Sequence, residues 1–262
     1  DKLGNYDIVL VTCEFEKATL DVRVVFGTAG KISGFQVVPS VPPASYAPPT
    51  YADPSKFDEK DVTVGAPGWP LPGTLTMPKG DGPFPAAVLV HGSGPNDRDE
   101  SIGPNKPFKD LACGLASRGI AVLRYDKRSK VFGAKIAADS KLFSALTVKE
   151  ETIDDALAGV AFVKTADKID KKRIFVLGHS LGGYLMPRIA VAGNSMGIDG
   201  CIIMAGLTRP LGDTILRQMK YLLSGVPTED AKNKLAEVEA EITKVKALKE
   251  SDRNSGTKFF NV

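Results

Sequence analysis

The sequence predicts an α/β protein: a doubly wound, mostly parallel sheet with a helical cap segment, preceded by a three-strand antiparallel remnant of an α+β domain. Three observations predict it. Four continuous apolar runs, at residues 86–90, 120–125, 174–177 and 201–204, have the composition of parallel strands covered on both faces. Amphipathic stretches lie between them, so strand and helix alternate. Before residue 40 the pattern is different, with short strand-like runs separated by turn residues.

Taken in order, residues 6–11, 19–26 and 31–38 read as consecutive antiparallel hairpins, joined by turns carrying Glu16-Lys17 and Gly27-Thr28-Ala29-Gly30. Three strands this short seldom form an independent domain, so the second face of residues 1–39 is expected to be covered by something not present before residue 1. Residues 40–57 form a Pro-rich linker, whose prolines favour extended chain and withhold amide donors. Residues 58–262 form the main domain. It opens on a hairpin pair at 61–64 and 71–77, then passes into the alternating region. Thr147-Val148-Lys149-Glu150 reads as a capping box, followed by Ile153, Leu157, Val160 and Val163 along one helical face. After residue 204 the pattern is wholly helical: 214–223 is one segment, Pro227 and Thr228 open another, and Leu235, Val238, Ile242 and Val245 give it an apolar stripe. Residues 208–250 are read as a cap over a site by analogy, with a plain surface hairpin as the alternative.

With 262 residues, 43% of them hydrophobic and 25% charged, the chain can bury a real core. Its net charge of +3 is spread along the length without basic blocks interleaved with aromatics, which disfavours nucleic acid as a partner. No run approaches the roughly 18 apolar residues of a membrane span. Cys13, Cys113 and Cys201 each sit in an apolar run and read as buried small hydrophobes rather than a disulfide framework or metal site. The first residue is Asp and no charged-then-apolar leader follows, which fits removal of a leader or an upstream segment and leans toward a secreted or periplasmic compartment.

The chemistry is carried by Gly178-His179-Ser180-Leu181-Gly182, a G-x-S-x-G box placed after one apolar strand and before a helix-like stretch at 183–190. Glycine on both flanks permits a turn tight enough to lift the Ser180 hydroxyl out of the sheet, so Ser180 is the candidate nucleophile. A second motif, His91-Gly92-Ser93-Gly94-Pro95-Asn96-Asp97-Arg98-Asp99, ends the first parallel strand. Its Gly-rich turn can aim backbone amides at a developing oxyanion, and the candidate donors are the N–H groups of Ser93 and Leu181. A serine nucleophile needs a base, yet the only histidines, His91 and His179, both precede Ser180. In hydrolases that use this turn the order is serine, acid, histidine. His91 is read as ordering its loop, and strand alternation sends His179 to another side of the strand. Asp97, Asp99 and Glu100, interrupted by Arg98, read as loop-fixing charge pairs rather than a metal site. Asp126-Lys127-Arg128 reads as an internal ion network, and the glycine box lacks the P-loop ending.

Together with Arg124-Tyr125-Asp126-Lys127-Arg128, the two motifs resemble the bacterial α/β-hydrolase esterases of the dienelactone-hydrolase-like group, over about residues 58–262. Cys13-Glu14-Phe15-Glu16-Lys17 and Gly30-Lys31-Ile32-Ser33-Gly34 look like the last strands of the small NTF2-like domain of unknown function that often precedes them. The resemblance implies hydrolysis of small, short-acyl carboxylic esters through an acyl-enzyme on Ser180, with no metal or organic cofactor. It also implies a continuation into two strands bearing an Asp and then a His. The expectation is therefore a chain cut at both ends, inactive until the missing C-terminal segment or a complementing chain supplies acid and base. An inactive hydrolase-fold binding protein is the alternative reading, as is a thioesterase or peptidase on the same fold.

Overall fold

The computed structural model describes residues 2–3, 6–27, 29–40, 45–225 and 228–249. Thr28 of the second hairpin turn, residues 41–44 of the expected linker, Pro227, and the last residue of the expected cap lie outside the described residues. The chain divides into two compact units, Asp1–Ala47 with Ile102–Asn105, and Pro48–Ser101 with Lys106–Val262.

In the first unit β2 (Tyr6–Glu14), β3 (Thr19–Phe26) and β4 (Ile32–Pro39) form the expected antiparallel meander, and a two-residue β1 (Lys2–Leu3) adds a fourth strand beside β2. Val9 opposite Val24, Val11 opposite Val22, Val24 opposite Phe35 and Val22 opposite Val37 line one face of the sheet with valines and an aromatic ring. On the other face Thr12 donates a 2.7 Å hydrogen bond to Asp21.

The second unit holds a six-stranded sheet in the order β10 (Gly200–Met204), β9 (Ile169–His179), β7 (Phe84–Val90), β8 (Ala121–Tyr125), β6 (Leu71–Pro78), β5 (Phe57–Val64). The leading pair, β5 and β6, is antiparallel. The strands β7, β8, β9 and β10 run parallel to one another. Period-2 alternation divides β7 between two cores. Ala86, Val88 and Val90 pack with Val160 and Val163 of α4 (Asp155–Thr165) and Ile189 of α6 (Met186–Ala192). Ala87 and Leu89 pack with Phe108 and Ala112 of α1 (Pro107–Ala116). Between β8 and α4 lie α2 (Arg128–Ala138) and α3 (Ser140–Ala145). Helices on both faces explain why these strands read as unbroken apolar runs. β10 departs from that expectation: it lies at the sheet edge, and Cys201, Ile202 and Ile203 are exposed. Of the cysteines only Cys113, in α1, is fully buried.

The capping box forms in altered shape. Glu150 accepts from the Thr147 N–H at 2.9 Å, but the Thr147 hydroxyl accepts from Lys149 rather than Glu150, and the first turn, Lys149–Asp154, is π-helical. The wider turn rotates the helix that follows. Ile153, Ala156, Val160 and Val163 are buried, whereas Leu157 is only partly so. The helix expected at 183–190 is two, α5 (Leu181–Tyr184) and α6, with Pro187 near the start of α6, where a missing N–H is harmless. The terminal helices α7 (Leu211–Leu223) and α8 (Glu229–Ala247) pack on each other, Ile242 lying against Gly212 and Lys220 pairing with Glu239 at 2.7 Å. Thr228 caps α8 by accepting from the Ala231 N–H at 3.2 Å. Val238 and Ile242 of the expected stripe are buried, while Val245 is exposed. No helix among the described residues is long and apolar enough to cross a membrane.

Candidate active site at the carboxyl ends of β7 and β9

Adjacent parallel strands bring the two motifs together. β7 and β9 are hydrogen-bonded with Val90 opposite Gly178, so the chain leaves both strands at the same end of the sheet. In open α/β sheets ligands bind at that end.

Ser180 sits between β9 and α5 with φ +50° and ψ −110°, a conformation that L-residues rarely adopt. Its strain is held by neighbours. The Ser180 N–H donates to the Met204 carbonyl at 2.9 Å, and its carbonyl accepts from the Tyr184 N–H at 2.8 Å. The flanking glycines are required by close approach. A Cβ on Gly178 would lie 2.4 Å from the Gly182 carbonyl, and one on Gly182 would lie 2.4 Å from the Val90 carbonyl oxygen. The Gly182 N–H donates to the His91 carbonyl at 3.1 Å, which ties this turn to the end of β7. The Ser93 and Leu181 N–H groups have no acceptor among the described residues, and Leu181 opens a helix, where N–H groups point outward unsatisfied.

The loop after β7 is fixed by charge. Asp97 Oδ1 accepts from the N–H groups of Asp99 and Ser101, at 3.1 and 3.0 Å. Asp99 pairs with Arg124 and with Lys106. Arg98 grips Asp126 through two nitrogens at 3.2 and 3.1 Å. Glu100, 3% exposed and at φ +52°, accepts from the Gly92 N–H at 2.7 Å. Its second oxygen lies 2.9 Å from His179 Nδ1, at an angle outside hydrogen-bond geometry. Buried Lys127 donates to the Gly92 carbonyl at 2.8 Å and stands 3.5 Å from Glu151. Sequence reasoning missed the bonds from Glu100 and Lys127 to Gly92. They join residues 8 and 35 positions apart, and no local pattern reports such contacts. No cluster of ligating side chains able to hold a metal occurs among the described residues.

His91 is 1% exposed, its ring centre 5.1 Å from that of Phe108 and 5.3 Å from that of Tyr125. Burial, reinforced by the Lys127 charge, pulls its pKa down to about 3, against smaller opposing effects from Asp97 and Asp126. The folded imidazole is therefore neutral where the unfolded one titrates near 6.5. A lowered folded pKa means that the unfolded chain binds the extra proton, so stability is lost as pH falls from about 6.5 toward 3. His91→Gln removes that loss. Between pH 7 and 4.5 the urea midpoint of the variant is expected to fall less than the wild type's, by an amount equivalent to about 2 kcal/mol. Parallel curves for the two proteins would contradict the neutral buried imidazole.

Residues 87–245 match the Alpha/beta hydrolase family. Esterase EstD of Thermotoga maritima is 45% identical over 221 residues, covering 84% of this chain and 50% of that protein. Esterase FrsA of Escherichia coli is 31% identical over 139 residues, covering 52% of the chain and 29% of that protein. The chain thus spans half the length of EstD and less of FrsA. Among solved structures, brefeldin A esterase aligns with TM-score 0.45 and 20% identity over 76% of this chain and 49% of its own.

Proposed function

Because the chain belongs to the alpha/beta hydrolase family, we propose that it is a serine carboxylesterase acting on small, short-acyl esters, with Ser180 as nucleophile. The observation that carries this reading is the left-handed, neighbour-held backbone of Ser180 together with the N–H groups of Ser93 and Leu181, which have no acceptor among the described residues. Ser180 Oγ attacks the ester carbonyl, the two N–H groups stabilise the tetrahedral oxyanion, and the alcohol departs with a proton to leave an acyl-enzyme. Water then releases the acid and restores the hydroxyl. No metal or organic cofactor enters this scheme. The general base and its acid partner are not assigned to any of these 262 residues. His91 is buried and neutral, and His179 turns its Nδ1 toward Glu100. We read the four-stranded first unit as the C-terminal strands of a small NTF2-like domain.

A fluorophosphonate probe tests the nucleophile. In the full gene product it is expected to label the tryptic peptide spanning residues 174–188, with the adduct mapped to Ser180 by mass spectrometry. A folded protein that takes no label on this peptide is instead a hydrolase-fold binding protein. Across p-nitrophenyl esters of increasing chain length, kcat/KM is expected to fall. A rise toward long chains would overturn the short-acyl preference.

A further inference from the structure

We propose that Lys127 is a positioning residue for the oxyanion site, acting with Glu100 as a two-ended clamp that holds Gly92 and thereby aims the Ser93 N–H at the reacting carbonyl. The inference rests on the esterase reading above and goes beyond it to residues that touch no substrate.

Gly92 is gripped at both ends. Glu100 Oε1 holds its N–H at 2.7 Å, and Lys127 Nζ holds its carbonyl oxygen at 2.8 Å, with Asn96 Nδ2 adding a second donor to the same oxygen at 3.2 Å. Glycine needs such restraint, because its backbone samples more conformations than any other residue's. The carbonyl that Lys127 grips belongs to the same planar peptide unit as the Ser93 N–H. In a trans peptide the C=O and N–H point in opposite directions, so anchoring the oxygen from behind fixes where the hydrogen points. The Gly92–Ser93 bond is trans. An ammonium on the carbonyl oxygen also polarises the peptide and strengthens its N–H as a donor. The position is next to the nucleophile: a Cβ built on Gly92 would meet Ser180 Cβ at 3.2 Å and Glu100 Oε1 at 3.2 Å.

Packing alone does not account for a lysine here. Lys127 is 2% exposed, and a buried ammonium costs several kcal/mol unless well paired, whereas a methionine fills similar space without charge. Its carboxylate neighbour Glu151 stands at 3.5 Å, and its shorter contact is the Gly92 carbonyl. The surroundings keep the clamp water-poor: Glu100 is 3% exposed and His91, on the preceding residue, is buried.

The test compares Lys127→Met with wild type in the full gene product on a p-nitrophenyl short-chain ester. Loss of aim should lower kcat by about 10 to 100-fold with KM within about twofold, since an oxyanion donor acts on the transition state and not on the bound substrate. Affinity for a trifluoromethyl ketone, which forms a tetrahedral oxyanion on the serine, should fall in parallel. A Lys127→Met protein that melts like wild type and keeps kcat within about twofold overturns the clamp, as does a loss confined to KM. If Lys127→Met does not fold, Asn96→Ala removes the second donor to the same oxygen, together with its 3.1 Å bond to the Ser93 carbonyl, and its kcat is expected to fall several-fold. An unchanged kcat there overturns the proposal. These outcomes are separate from failure of the esterase reading, which would show as wild-type turnover that survives Ser180→Ala.

Discussion

Replacing Ser180 with alanine in the full gene product is expected to lower ester turnover by about 10⁴ to 10⁶-fold while leaving the fold intact. The magnitude follows from the division of labour at the site. Without the hydroxyl no acyl-enzyme forms, and what remains is the acceleration that oriented N–H donors and binding give to attack by water. The fold should persist because alanine meets the same steric penalty as serine at φ +50°, and because the bonds that hold this turn, from the Ser180 N–H to Met204 and from Tyr184 to the Ser180 carbonyl, are made by backbone atoms. Ser180→Gly separates strain from chemistry. It is expected to be equally inactive and about 1 kcal/mol more stable, since glycine adopts positive φ without the Cβ clash. Turnover by Ser180→Ala within tenfold of wild type would remove Ser180 from the mechanism; Ser180→Gly melting at or below the wild-type temperature would show the backbone to be unstrained.

The second large effect lies in the core. Asp155→Ala is expected to destabilise the protein by about 3 to 5 kcal/mol, a large share of the stability of an ordinary domain. Asp155 is wholly buried and accepts from Arg128 at 3.0 and 2.5 Å, while the guanidinium also stacks over Trp69 at 4.7 Å. Burial holds the Asp155 carboxyl above its usual range even with Arg128 against it, so desolvation outweighs the attraction of the pair. Removing one partner therefore leaves an uncompensated charge, whereas removing both removes the penalty as well. Arg128→Met with Asp155→Leu should recover most of the loss in urea denaturation. A double variant as unstable as Asp155→Ala would mean that packing around the pair, rather than its charge, carries the effect.

Much of this architecture is legible in one dimension because its signals are local. The runs at 86–90, 120–125 and 174–177 fall on β7, β8 and β9, missing the start of β8 by one residue, since parallel strands covered by helices on both faces are mostly apolar. The turn around Ser180 is legible because Gly178 and Gly182 have backbone where a Cβ would be, a constraint that any sequence making this turn must meet. The charged loop is legible only as a class: Asp97, Asp99 and Asp126 form ion pairs and turn bonds, but their partners were not readable. Other features escaped. The π-helical first turn at Lys149–Asp154 displaces the inward face by part of a turn, so the 3.6-residue period that marks Leu157 as core misses Ala156. The apolar composition of β10 hides that it is an edge strand with exposed isoleucines, because order in a sheet is a property of crossovers and not of the strand's own residues.

The sequence by itself determined the strand and helix alternation, the strained serine turn and the presence of a glycine loop at the end of the preceding strand. Each follows from sterics or burial within a few neighbouring residues. Only the tertiary structure decided that β7 and β9 are adjacent, that Glu100 and Lys127 close on the two ends of Gly92, and that His91 is sealed between Phe108 and Tyr125. Those relations join residues far apart in the chain, where burial strengthens each charge and hydrogen bond and a difference of one residue in register would separate the partners.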